Sequence, residues 1–423
     1  MKQMKDSGIE WIGQIPENWK LNKIGALYEE RNIKVSDQDY PPLSVTKQGV
    51  VPQLETAAKT DNGDNRKLIK KNDFVINSRS DRRGSCGISE YDGSCSLINT
   101  VLKPRHNMHN RYYNYVFRSE LFADEFYRWG NGIVDDLWST KWSNMKRIYV
   151  PFPNIEIQRR IADFLDEKCG KIDRYIAKQQ QVIEKLKTYK QSVITEAVTK
   201  GLNPDVPMKD SGIEWIGMIP EHWSSRRLRY LGTCVNGISK GGEYFGSGYP
   251  FVSYGDVYKN MELPSSVAGL VETTEDEREW YSVKEGDVFF TRTSETIEEV
   301  ALTSTCMKTI ENATFAGFLI RFRPNTNLLT KEFSKYYFRS DKHRLFFVKE
   351  MNLVTRASLS QELLKRLSVL LPPIDEQLTI AAHLEQKCSN IDEAINKKYT
   401  VIEKLIKYKK SLIYEAVTGK LEV

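Results

Sequence analysis

The chain has 423 residues, 40% hydrophobic and 28% charged, the composition of a folded protein of two or three domains and not of a disordered one. Its 62 Lys and Arg against 56 Asp and Glu leave a net charge of +6, too little by itself to imply a nucleic-acid partner, so distribution has to decide. No stretch reaches the roughly 18 apolar residues of a membrane helix, the N-terminal MKQMKDSGIEWIG has no signal-peptide core, and six scattered cysteines without a CxxC pair fit free thiols in a reducing cytoplasm.

In chain order, the first feature is a Trp/Pro motif, MKDSGIEWIGQIPENW, at residues 4–19. Tryptophan faces can hold bases, but Ile9, Ile12 and Ile15 beside Trp11 and Trp19 suit packing better, against the end of a long helix. A polar turn with Lys47 and Gln48 follows. Between Arg66 and Arg83 lie seven Lys or Arg and only two acids, a run that ordinarily marks a solvated surface. Within it DFVINSR (73–79) reads as a strand, with Arg79, Arg82 and Arg83 at its end. NRYYNYVFRSELFADEFYRW (110–129) reads as one amphipathic helix. Trp138, Lys141 and Trp142 then precede a last strand, MKRIYVPF (145–152).

After Pro151 and Pro153 the period changes. Ile161, Leu165, Ile172, Ile176, Ile183, Leu186, Val193 and Ala197 recur at helical spacing, forming an apolar stripe fit to pair with another long helix. The helix should stop near Gly201. Some 40 residues make a rod of roughly 60 Å.

The chain then repeats itself. MKDSGIEWIGMIPEHW (208–223) differs from the first motif only at positions 14/218 and 18/222. A glycine-rich run with Gly241, Gly242, Gly246 and Gly248 follows, bounded by Lys240 and Tyr254; it lacks the spacing of a nucleotide fingerprint and reads as a flexible loop. GDVFFTR (286–292) and FAGFLIRFRP (315–324) read as strands, the segment around KEFSKYYFRS (331–340) as a helix, and KRLSVLLPP (365–373) as the last strand. Arg292, Thr293 and Ser294 follow the strand equivalent to 73–79, and Arg356 and Ser358 precede the last strand. The second helical block repeats the stripe with Ile380, Leu384, Ile391, Ile395, Ile402, Leu405, Leu412 and Ala416, ending near Gly419. The order of elements is kept while most side chains of the bodies are not.

Catalytic signatures do not appear. There is no GxxxxGK[ST] loop, no NPP[FY] loop of adenine aminomethyltransferases, no nucleophile arrangement around the five histidines, and no metal-ligand spacing. What remains is a set of basic and polar residues at strand ends and turns: Lys47, Gln48, Arg79, Arg82, Arg83, Lys141, Lys240, Tyr254, Arg292, Thr293, Ser294, Arg356 and Ser358. Arginine offers a fork for guanine O6 and N7, while lysine and hydroxyls suit phosphate oxygens. As a group, placed in two matching bodies, they are expected to contact DNA.

The motif SGIEWIGxIPExW, KEGDVFFTR (284–292), LPPIDEQ (371–377) and YKKSLIYEAVTGKL (408–421), in that order and duplicated, resemble type I restriction-modification specificity subunits over essentially the whole chain. The resemblance implies α/β (α+β) target recognition domains in a pseudo-twofold repeat, joined by two long antiparallel coiled-coil helices. Their expected bounds are 1–153 and 204–372, with the helices at 154–203 and 373–423. It implies a non-catalytic subunit reading a bipartite, asymmetric double-stranded DNA target, expected in the cytoplasm, and a rigid pair of helices should set the half-sites roughly 34–36 Å apart. Its partners would be two modification subunits, which carry S-adenosylmethionine, and restriction subunits, which carry ATP and Mg. An adaptor whose coiled coil and bodies bind proteins instead of DNA is the alternative.

Overall fold

In a computed structural model, residues 3–53, 63–79, 82–105, 108–132, 138–294, 300–350 and 357–423 are described. The chain forms two compact units, residues 1–180 with 399–423, and residues 181–398. The two long helices, Ile155–Lys200 and Ile374–Val417, therefore each divide between units, where the sequence reading sets them apart as segments of their own.

Helix ends follow local chemistry. The side chain of Asn154 accepts from the N–H of Ile157 at 2.9 Å and caps the first helix. Gly201 (φ 76°) and Gly419 (φ 75°) terminate the two helices in the left-handed region, which a Cβ would disfavour. In unit 1 the helical segments run antiparallel: Lys409 pairs with Asp173 at 2.6 Å, and Arg160 meets the carbonyl of Val423. In unit 2, Lys190 pairs with Asp392 at 2.6 Å, the same two repeat positions exchanged.

Each unit carries an antiparallel four-stranded sheet of the same order. In unit 1 it runs Cys86–Ile88, Phe74–Asn77, Asn99–Pro104, Tyr28–Glu30. In unit 2 it runs Thr303–Thr305, Val288–Thr291, Leu319–Pro324, Gly232–Asn236. The turn before the central strand is also shared. It needs a left-handed residue, Asn72 (φ 72°) or Gly286 (φ 87°), and both are types that tolerate it. The aspartate that follows, Asp73 or Asp287, accepts from a backbone N–H three residues back at 2.8 or 2.7 Å. Each also pairs with an arginine at 2.6 Å, Arg31 in one unit and Arg323 in the other.

The bodies are tied to the helices in the same way twice. Gln158 and Gln377 are fully buried. The Oε1 of Gln158 accepts the N–H of His109 at 2.8 Å, and that of Gln377 the N–H of Thr330 at 2.9 Å. Tyr115 donates to Asp166, and Tyr336 to Glu385, both at 2.6 Å. A buried amide satisfied at both ends fixes geometry more than it adds stability. The Trp/Pro motifs form hairpins, Met4–Asp6 with Gln14–Pro16 and Met208–Asp210 with Met218–Pro220. The first packs Trp11, Ile12, Ile15 and Trp19 among Leu412, Ala416 and Val417. The second packs Ile216, Ile219 and Trp223 among Ile194, Ala197 and Val198.

Three expectations need correction. The 110–129 helix is two, Asn110–Arg118 and Glu120–Arg128, because Ser119 leaves helical geometry (ψ 147°) to cap the second through its hydroxyl. Segment 315–324 is not one strand: Thr314–Phe315 and Leu319–Pro324 belong to different sheets, with Gly317 and Phe318 between. The glycine run is loop only at its start, at Gly241 before the short 3-10 turn Gly242–Tyr244. Gly246 and Gly248 lie in strand Phe245–Val252 at φ 102° and 95°, and a Cβ on Gly248 would lie 2.6 Å from the Val271 carbonyl. Glycine there serves an irregular strand that passes close to its neighbour.

Candidate nucleic-acid interface

The basic run of 66–83 does not form one surface. Arg66 is buried and donates to the Ser94 hydroxyl at 2.8 Å, Lys67 to the Asn99 carbonyl at 2.9 Å, and Lys70 to Asp92 at 2.8 Å. Alternation along strand Arg66–Ile69 and its turn spends these cations on internal partners. The Arg79 end is different.

Where strand Phe74–Asn77 ends, the Ser78 carbonyl accepts the N–H of Thr140 at 2.9 Å, and Arg79 bridges to Ser139. This brings Arg79 and Lys141, far apart in sequence, to one open cleft of ≈ 480 Å³. Its other walls include Glu30, Lys67, Leu97, Ile98, Thr100, Trp142 and Ser143. Arg79 and Lys141 are exposed, and Lys67 stands 3.6 Å from Glu30. Three cations, a carboxylate, hydroxyls and an indole in one cleft can meet phosphate oxygens, base-edge donors and acceptors, and a base face.

The remaining unit-1 candidates lie elsewhere. Arg83 pairs with Asp124 and lies over the Tyr127 ring at 5.7 Å, which fastens helix Glu120–Arg128. Arg82 is exposed at the turn beyond Arg79. Lys47 and Gln48 sit at the tip of hairpin Leu43–Thr46/Gly49–Pro52, where the Lys47 carbonyl accepts from Arg118 at 2.7 Å.

In unit 2 the same corner gathers Arg292, Thr293, Ser294 and Ser358. The Arg292 carbonyl accepts the N–H of Leu359 at 2.7 Å, and Thr293 pairs with Ser358 and Ser294 with Ala357 in a short antiparallel ladder. Arg356 lies outside the described residues. Lys240 is engaged within its own unit: it donates to Glu277 at 2.7 Å and to the Glu272 carbonyl at 2.8 Å. That hydrogen bond holds the Glu277 carboxyl below its ordinary range. Tyr254 begins helix Tyr254–Lys259 and stacks on Tyr258 at 5.9 Å.

The ladders align the two corners residue by residue. Asn77 pairs with Asn99 as Thr291 pairs with Leu319. Ser78 thus corresponds to Arg292, Arg79 to Thr293, and Ser139 to Ser358. The frame is common and the side chains facing outward differ. Sequence reading missed Glu30, Lys67, Leu97, Ile98 and Phe318, because they come from other strands and only ladder register brings them to the corner.

Two bodies on one scaffold, each presenting a different polar corner, define a duplicated recognition protein. The chain belongs to the family of type I restriction modification DNA specificity domains, matched over residues 16–188 and 220–404. It is 23% identical over 437 residues to the type I restriction enzyme EcoKI specificity subunit of Escherichia coli (strain K12), covering 97% of this chain and 90% of that one. It is 22% identical to the StySPI specificity subunit of Salmonella potsdam over 84% of this chain and 75% of that one. Among solved structures, a chain from work on complex assembly and conformational transition of the type I R-M system matches with a TM-score of 0.72 and 14% identity, covering 96% of this chain and 99% of that one. The HsdS subunit from Thermoanaerobacter tengcongensis matches with a TM-score of 0.51 and 15% identity, covering 96% and 98%. At these identities the structural likeness concerns the fold.

Proposed function

We propose that this chain is the non-catalytic specificity subunit of a cytoplasmic type I restriction-modification complex, in which each body reads one half of a bipartite, asymmetric double-stranded DNA target. The observation that carries this reading is the contrast between frame and corner. Strand order, turn chemistry and both ties to the helices recur, while Ser78 and Arg79 in one unit stand where Arg292 and Thr293 stand in the other. A duplicated frame with diverged outward side chains is what two independent readers of different half-sites require.

Chemistry on the DNA belongs, on this reading, to partner subunits. Two modification subunits would carry S-adenosylmethionine and methylate adenine, and restriction subunits would carry ATP and Mg. The near-identical exposed residues of the two Trp/Pro motifs, Lys5 and Lys209, Asp6 and Asp210, Glu10 and Glu214, support binding of the same partner twice. The test is to exchange residues 20–150 for those of another family member and map methylated adenines in cells carrying the modification subunit. One half-site should change and the other persist; change in both would defeat the independent-reader idea.

A further inference from the structure

At the reading corner each unit exposes an apolar side chain that its core does not use. Phe318 sits at the turn before strand Leu319–Pro324 and is 64% exposed, while Leu319 and Ile320 beside it are fully buried. Its backbone is held from both sides. The Phe318 carbonyl accepts the N–H of Arg292 at 2.9 Å, and a Cβ on Gly317 would lie 2.3 Å from the Ser239 hydroxyl. In unit 1 the same register is held by Ile98, whose carbonyl accepts the N–H of Ser78 at 3.2 Å. Leu97 next to it is 41% exposed. Both line the cleft that holds Arg79 and Lys141. One exposed hydrophobe on a surface needs no explanation. Apolar side chains at the same turn of two diverged bodies, each beside strand-end cations, do.

Arg292 adds a second observation. Its Nε is sealed from solvent and meets no acceptor among the described residues. At the matching position in unit 1, the Ser78 hydroxyl is satisfied by the Ile98 carbonyl at 2.5 Å. The side chain as a whole is only half-buried, so a ligand acceptor would be met by its terminal Nη groups and not by the sealed Nε. An acceptor and an apolar group side by side are what the major groove displays, as guanine O6 and N7 and the thymine 5-methyl.

We propose that Phe318 rests on the 5-methyl group of a thymine in the half-site read by unit 2, with Arg292 directed at an acceptor of the adjoining base pair. Leu97 and Ile98 make the corresponding apolar contact in unit 1. The proposal rests on the DNA-reading function above and names the feature of DNA that is read. Aliphatic side chains at the unit-1 register fit contact with a methyl group and not base stacking, which needs an aromatic face.

The experiment uses the full chain assembled with its modification subunits, on duplexes carrying the motif found by methylation mapping. Each thymine of the unit-2 half-site is replaced in turn by deoxyuridine, which removes only the methyl group, and binding is titrated. One position should lose about fourfold in affinity, the worth of one buried methyl. Phe318→Ala should weaken binding to the thymine duplex by at least as much and make deoxyuridine at that position silent, while Phe318→Leu should retain the preference. The proposal is overturned by a half-site lacking thymine, by insensitivity at every thymine, or by Phe318→Ala and deoxyuridine effects that simply multiply. Failure of the unmodified complex to prefer its motif over unrelated duplex would instead remove the DNA-reading function itself.

Discussion

Arg79 and Arg83 lie on one turn and line a common pocket, yet the structure gives them different partners. Arg79 faces the open cleft and Arg83 is held by Asp124 and Tyr127. If Arg79 reads a guanine, Arg79→Ala should cost about 1–3 kcal/mol and relax specificity at one base pair. If it meets phosphate, binding should fall evenly across sequences and the salt slope should drop by about one. Arg83→Ala should leave both quantities unchanged and lower thermal stability slightly, since exposed pairs contribute little. Titration at several salt concentrations separates these cases. A second residue, buried His343, couples stability to pH. It is buried against Trp215, Tyr337 and Phe338, and burial pushes its pKa down to about 3. The folded pKa lies below the unfolded value of about 6.5, so the stability is fully present above pH 6.5 and lost as pH falls towards 3. From pH 7 to 5 this one group should remove about 2 kcal/mol. His343→Phe should flatten that part of the stability profile measured by denaturant titration; an unchanged slope would assign the acid sensitivity to other groups.

At the scale of elements, Gln377 links three segments. It accepts from Thr330 and donates to the carbonyls of Leu328 and Pro372, each at 2.9 Å. Gln377→Ala would leave buried groups unsatisfied and should destabilise the protein by on the order of 3 kcal/mol. Hydrogen exchange should show the loss around helix Lys331–Tyr337 first; uniform loosening would mean that the amide does not tether the body. This tie was invisible in the sequence, although the glutamine was part of the repeated block, because its partners depend on where the body docks. The long helices were legible because an apolar period sustained over some 40 residues leaves little choice, and Gly201 and Gly419 marked their ends. The break at Ser119 had a signal, a Ser before Glu120 with apolar residues either side, that the period overrode. Of the site, Arg79 and Arg292 were found from strand ends. Glu30, Lys67 and Phe318 were not, because ladder register is set by turn geometry and burial and not by local composition. Lys240 was misleading for the opposite reason: its acid partner Glu277 lies on a helix whose position only the fold reveals.

For the whole molecule, the two halves are equivalent only if each long helix end receives the same cover. In unit 2 the cover follows directly in sequence: Gly201 ends the helix, and Trp223 of the next motif lies so close that a Cβ on Gly201 would stand 3.4 Å from its ring. In unit 1 it comes from the far end of the chain. Tyr414 and Lys420 both donate to the Ile12 carbonyl, at 3.0 and 2.9 Å, and Trp19 lies against Gly419. The N- and C-terminal segments are thus neighbours, joined by the same packing that joins residues 197–223 through a covalent linker. Trp19→Ala should therefore destabilise by about 3–5 kcal/mol, as for any fully packed indole, and should loosen helix residues near Ala416 in hydrogen exchange. Continuity of chain at 201–207 should be dispensable if packing alone holds each cover in place. A permutant opened between Gly201 and Pro207, with a short flexible linker joining Val423 to Met1, should fold and direct methylation to the same motif. The linker joins two terminal segments that already pack together through Ile12 and Trp19, and the opening falls in the exposed segment 202–205, where a break disturbs little. A permutant that folds, judged by an unchanged circular dichroism spectrum, but methylates a different motif or none would show that the covalent link at 201–207 does more than hold the second motif on its helix.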